Sequence, residues 1–166
     1  MYNLINLIIM SYFAVIDSRT SPIIQHSSSQ ILRVRSGDRP SHLRLLIVDD
    51  AVLVRKFHRR ILAPSFEEIL EANNGLQAVD RVNESILTNK PIHGILMDNS
   101  MPFMDGTTAT QLIRQLGYNG KVFGITGNAF QSDIDDFLAH GVDEVLIKPV
   151  SLEKYAHIVE MIETIS

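Results

Sequence analysis

From Leu43 onward, short apolar runs alternate with stretches whose apolar positions recur every three to four residues. Leu43–Val48 suits a buried strand. Leu53, Val54, Phe57 and Ile61 then share one helical face, which Pro64 ends. Ile69 and Leu70 mark a second, weaker strand, and Ala78, Val79, Val82 and Ile86 the next helical face. Gly94–Met97 predicts a third strand, followed by Ala109, Leu112, Ile113 and Leu116 at amphipathic helix spacing. Val122–Thr126 reads as a fourth strand, and Ile134, Phe137 and Leu138 as a helix ended by Gly141. Val145–Ile147 is a fifth strand, and Leu152, Tyr155, Val159 and Ile162 form a last helical face. Strands alternating with amphipathic helices predict an α/β doubly wound parallel sheet with helices on both faces and right-handed crossovers.

The preceding residues follow no such period. Met1–Ile16 is almost wholly apolar, interrupted by Asn3, Asn6 and Ser11. It lacks the basic start and small-residue cleavage site of a secretory signal, and it is short for a membrane span. A weak anchor, an element docked on the domain, and a segment with no fold of its own all remain open. Ser18–His42 is rich in Ser, Arg, Pro and Gln and reads as linker. The expected division is therefore residues 1–42, an apolar segment and flexible linker that is poorly ordered, and a domain over 43–166.

Charge sharpens that division. The whole chain carries a formal −4, but residues 1–42 hold four arginines against two aspartates. Residues 43–166 hold eleven basic against seventeen acidic residues, with no basic cluster on a helix, so nucleic acid is not an expected partner. No cysteine is present, which excludes disulfides, thiolate nucleophiles and Cys-based metal sites. The six histidines are scattered without metal-ligand spacing; His58 and His140 read as exposed helix-face positions and His93 as a loop residue. Asp133, Asp135 and Asp136 suit the first turn of a helix, and Gly75, Gly106 and Gly141 suit turns or caps.

In a doubly wound sheet the functional cleft lies at the carboxyl ends of the strands. Asp49 and Asp50 follow the first strand, Asp98 the third, Thr126 ends the fourth, and Lys148 and Pro149 follow the fifth. Taken singly, these are ordinary residues: an Asp pair after a strand commonly caps the next helix, and a Lys-Pro commonly precedes a turn. Together they predict three carboxylates, a hydroxyl and an ammonium in one cleft. Converging carboxylates need a counter-charge. Hard oxygen ligands suit Mg²⁺, and a carboxylate can attack phosphorus to form an acyl phosphate.

The wording of these segments is specific. Leu45-Leu46-Ile47-Val48-Asp49-Asp50, Met97-Asp98-Asn99-Ser100-Met101-Pro102-Phe103-Met104-Asp105-Gly106, Gly124-Ile125-Thr126-Gly127-Asn128-Ala129 and Leu146-Ile147-Lys148-Pro149 stand in order. They resemble the four motifs of response-regulator receiver domains of the chemotaxis-regulator type. The wording is most similar to receivers at the C-terminal end of hybrid histidine kinases, and the likeness covers residues 43–166. The resemblance implies a flavodoxin-like five-stranded parallel sheet in the order 2-1-3-4-5. It implies a phosphorelay function without turnover of an external substrate. Asp98 would accept a phosphoryl group from a histidine kinase or histidine phosphotransfer protein. Asp50 would hold Mg²⁺ directly, Asp49 through water or more weakly, with Asp98 and the Ser100 carbonyl completing the set; Mn²⁺ would substitute. Thr126 and Lys148 would contact the phosphoryl oxygens, and Ser100 and Asn128 would tune dephosphorylation. The peptide before Pro149 would be cis. It further implies a cytoplasmic domain, with membrane association only through a longer parent protein, and the opening residues favour a piece of a hybrid kinase over a stand-alone regulator. Val145 stands where many members carry an aromatic switch, so the expected signal runs through the loop after Thr126 or by phosphoryl relay. Two alternatives use the same residues. A haloacid-dehalogenase-type phosphatase places its aspartyl nucleophile after the first strand, with a second Asp two residues on; here Asp98 follows the third strand and position 100 is Ser. A phosphate-independent binding module would not require the full set of acidic, hydroxyl and amine groups.

Overall fold

The computed structural model describes residues 42–164. The expectations for residues 1–41 lie outside that range. Strands β1 (Arg44–Val48), β2 (Glu68–Ala72), β3 (Gly94–Asp98), β4 (Lys121–Thr126) and β5 (Glu144–Ile147) alternate with helices. The helices are α1 (Val52–Leu62), α2 (Gly75–Leu87), α3 (Gly106–Gln115), α4 (Gln131–Ala139) and α5 (Leu152–Glu163), with a short 3₁₀ turn at Ala63–Ser65. All strand pairings are parallel, in the order β2-β1-β3-β4-β5. The alternation predicted the doubly wound parallel plan, and the strand order is the flavodoxin-like one that the resemblance implied.

The two faces of the sheet bury separate cores because strand side chains alternate sides. Leu45 and Ile47 of β1, Leu96 of β3 and Phe123 of β4 pack against α1 and α5, with Tyr155, Ile158 and Ile162 among the buried residues. Leu46 and Val48 of β1, Ile95 and Met97 of β3 and Val122 of β4 face α2, α3 and α4 through Ala78, Val82, Ile113 and Phe137. The central strands β1 and β3 are covered on both sides, which is why they read as continuous apolar runs. Val145 packs, partly buried, on the second of these cores.

Helix α1 turns Phe57 and Ile61 of its predicted apolar face onto the core, with Val54 half-buried, but departs from the pattern at two positions. Leu53 is 59% exposed, whereas His58, expected on the surface, is 4% exposed. Its Nδ1 and the Tyr155 hydroxyl lie 2.7 Å apart in a hydrogen bond that joins α1 to α5. The imidazole also meets the Tyr155 ring edge-on at 5.7 Å between centroids. A polar side chain can occupy a core position when a neighbour satisfies it, and no apolar periodicity announces that. His140, also expected on the surface, is half-buried at the C-terminal cap of α4. His93 lies in the loop before β3, where its Nδ1 accepts the Arg44 N–H. Asp133 alone of its acidic cluster stands in the first turn of α4. Gly75 and Gly106 are the first residues of α2 and α3, and Gly141 follows α4 with φ of 102°.

Candidate functional site

Parallel strands place all their carboxyl ends on one edge, and the residues just beyond them meet there. Asp49 and Asp50 leave β1, and Asp98 ends β3. One carboxylate oxygen from each lies within 4.8 Å of the others. Asp49 and Asp98 are 2% and 4% exposed, while Asp50 is open to solvent. None of the three caps a helix. The residue before α1 is Ala51, which offers no side-chain cap, and Asp49 Oδ1 accepts its N–H at 2.8 Å.

Lys148, beyond β5, spans two of the carboxylates: its Nζ lies 3.0 Å from Asp49 Oδ2 and 2.7 Å from Asp98 Oδ1. Its backbone N–H donates to the Thr126 carbonyl at 2.8 Å, and the Lys148–Pro149 peptide is cis. Burial pushes the Asp98 carboxyl up to about 6, even though Lys148 beside it works the other way; Asp49 and Asp50 add to the rise. Burial would lower the Lys148 ammonium, but Asp98 and Asp49 outweigh it and hold its pKa above the usual value. The site is therefore rich in negative charge that one cation does not balance. Hard oxygen donors this close, partly desolvated and over-supplied with charge, fit a small divalent cation such as Mg²⁺.

Thr126 is buried at the end of β4, and its Oγ1 accepts the Asn128 N–H at 3.0 Å. Ser100 is exposed in the β3–α3 loop. That loop is tied to the sheet beside Asp98: Asn99 N–H donates to the Ile125 carbonyl, and Asn99 O accepts the Gly106 N–H, each at 3.0 Å. Thr107 Oγ1 donates to Asn99 Oδ1 at 2.9 Å. A Cβ on Gly106 would lie 2.2 Å from the Asp98 carbonyl oxygen, so only glycine lets α3 begin this close to the strand. A groove of about 450 Å³ opens between the β3–α3 segment and α4, lined by Asn99, Ser100, Asp105 and Thr107 and, from the α4 side, Asp136 and His140; none of the three clustered aspartates lines it.

Sequence reasoning missed Arg55. Its Nη1 donates to the carbonyls of Asp49 at 2.7 Å and Asp50 at 3.3 Å, and its Nε pairs with Glu71 of β2 at 3.1 Å. Nothing in the pattern marks it, because it grips two main-chain carbonyls and a carboxylate on a separate strand. His58 was passed over for the opposite reason, being read as surface. Burial, with Lys148 as the second cause, lowers its pKa to about 4.

The family model of the response regulator receiver domain matches residues 45–160. The two-component response regulator ORR41 of Oryza sativa subsp. japonica is 35% identical over 68% of this chain and 87% of its own length. The sensor histidine kinase RcsC of Salmonella typhimurium is 34% identical over 72% of this chain, which spans 12% of the kinase. The receiver domain of the histidine kinase CKI1 from Arabidopsis thaliana, solved with Mg²⁺ and BeF₃⁻, superposes with a TM-score of 0.63 at 26% identity, covering 74% of this chain and 90% of that one. The fold, the acidic pocket and these matches lead to one assignment: the chain belongs to the response regulator receiver domain family of two-component systems.

Proposed function

We propose that Asp98 is the phospho-acceptor of a histidine-to-aspartate relay, with residues 43–166 as the phosphorylated unit. The observation that carries this reading is the convergence of the Asp49, Asp50 and Asp98 carboxylates within 4.8 Å. Lys148 lies across two of them, 2.7 Å from Asp98. A carboxylate of Asp98 attacks phosphorus, an O–P bond forms, and the P–N bond to the donor imidazole breaks with its electron pair leaving on nitrogen. Lys148 moves its ion pair from the carboxylate to the incoming phosphoryl oxygens. Thr126, whose oxygen already accepts the Asn128 N–H, donates its hydroxyl proton to another. Asp49, Asp50, Asp98 and the Ser100 carbonyl would hold Mg²⁺, or Mn²⁺ in its place, and the ion would neutralise the phosphoryl charge. Water attacking phosphorus later breaks the O–P bond, returning the carboxylate and inorganic phosphate. Ser100 and Asn128, flanking the pocket, set the lifetime of the phosphorylated state.

The donor on this reading is a histidine kinase or a histidine phosphotransfer protein, and the output is a signal, with no external substrate turned over. The domain works in the cytoplasm, with any membrane attachment supplied by a longer parent. Relatives of both kinds, stand-alone regulator and kinase, are similar in sequence to this chain, and no described helix is long and apolar enough to cross a membrane. The test is incubation of the full chain with Mg²⁺ and acetyl phosphate, followed by intact mass. The wild type gains one hydroxylamine-labile phosphoryl group and Asp98→Asn gains none. A wild type that stays unmodified, or a label retained in the variant, overturns the proposal.

A further inference from the structure

Asp49 and Asp50 are neighbours in sequence but are held by unlike means. The Asp49 carboxylate is buried and fixed twice, by Lys148 Nζ at 3.0 Å and by the Ala51 N–H at 2.8 Å. The Asp50 carboxylate is exposed, and among the described residues it makes no hydrogen bond. What fixes Asp50 is its main chain. Arg55 Nη1 donates to the carbonyl oxygens of both Asp49 and Asp50, at 2.7 and 3.3 Å. These two carbonyls belong to the peptide planes on either side of the Asp50 Cα. Holding both planes fixes the φ and ψ of Asp50, and with them the direction of its Cα–Cβ bond.

The guanidinium is itself held. Its side chain is 13% exposed and ion-paired through Nε with Glu71 at 3.1 Å. Glu71 sits on β2 opposite Ile47 and also accepts from Arg59 Nη1 at 3.1 Å, while Arg59 donates to the Ile69 carbonyl. Arg55 therefore spans from α1 to β2 across the mouth of the β1–α1 turn. A planar fork with several donors can serve two carbonyls and a carboxylate together; an ammonium on a flexible stem acts as a point donor.

Resting on the relay reading above, we infer that Arg55 is the positioning residue of the cation site. It orients Asp50 by gripping the backbone on both sides of it, so that the one unfastened carboxylate meets the metal without first being ordered. The role concerns metal binding and leaves the acceptor itself untouched. Groups that orient metal ligands typically contribute about ten- to a hundredfold in affinity.

The experiment titrates Mg²⁺ into the full chain as wild type, Arg55→Met and Arg55→Lys, by calorimetry and by the Asp50 amide shift, well below each melting temperature. Labelling by acetyl phosphate is measured over a range of Mg²⁺ concentrations. The expected result is a dissociation constant about ten- to a hundredfold weaker for Arg55→Met, with Arg55→Lys between it and wild type. Labelling rates should recover towards wild type at saturating Mg²⁺. A merely structural role would shift the melting temperature but leave the affinity of the folded fraction unchanged. Should Arg55→Met not fold, Arg55→Lys carries the test. Wild-type affinity in both variants overturns the inference while the relay reading stands. A wild type that binds no Mg²⁺ overturns both.

Discussion

An imidazole placed 4% exposed between α1 and α5 is a proton-sensitive element of stability. Burial first, then the positive charge of Lys148, lowers the His58 pKa from 6.5 to about 4. Between those values the unfolded chain binds the proton that the folded chain refuses. The contribution is therefore present above about pH 6.5 and is lost as pH falls towards 4. A shift of this size corresponds to roughly 3 kcal/mol at most. Denaturant melts at pH 7, 6, 5 and 4.5 should show stability falling with pH in the wild type. The His58→Gln variant should start lower, because the 2.7 Å bond to Tyr155 is disturbed, and should show a shallower acid slope. Equal slopes would mean that carboxylates elsewhere carry the acid sensitivity. His58 also shows where reading by residue type fails: an apolar Leu53 faces water and a histidine faces the core, because packing and a single hydroxyl partner decide the face. Arg55 escaped for a related reason, since carbonyl partners leave no mark in a sequence.

The five strands were readable because a parallel sheet buried on both faces needs unbroken apolar runs, as in Leu45–Val48 and Ile95–Met97. The convergence of Asp49, Asp50 and Asp98 followed from the same logic, since parallel strands bring all carboxyl ends to one edge. The helix faces were less readable. Ile86 and Leu87 of α2 are exposed while Ser85 is buried, its hydroxyl bonded to the Val82 carbonyl. The junction of β3 and α3 is the most demanding join between elements. A methyl group on Gly106 would meet the Asp98 carbonyl oxygen at 2.2 Å, and that neighbour is backbone of the central strand. Gly106→Ala should therefore destabilise the fold by about 1–3 kcal/mol, as overpacking does. It should also slow acetyl phosphate labelling by displacing Asp98. Thermal melts and labelling rates check the two effects separately, and wild-type values in both would show that α3 can shift away freely.

At the scale of the whole molecule, the cluster of Asp49, Asp50 and Asp98 at the sheet edge should make stability respond to divalent cation. An ion that binds only the folded chain adds about 2.7 kcal/mol at a hundred times its dissociation constant. The melting temperature should rise with millimolar MgCl₂, and by less in Asp50→Asn; ionic strength matched with NaCl separates specific binding from screening. No rise in the wild type would count against a cation site. The bond from Lys148 to Asp49 joins residues 99 apart in sequence, and loop closure of that length must precede it. A chain emerging from the ribosome presents β1 and β3, and so all three carboxylates, well before β5 delivers the ammonium. Until β5 is made, a growing copy therefore holds the three carboxylates without the ammonium that spans two of them, and the charge balance of the cleft is among the last parts of the fold to be completed.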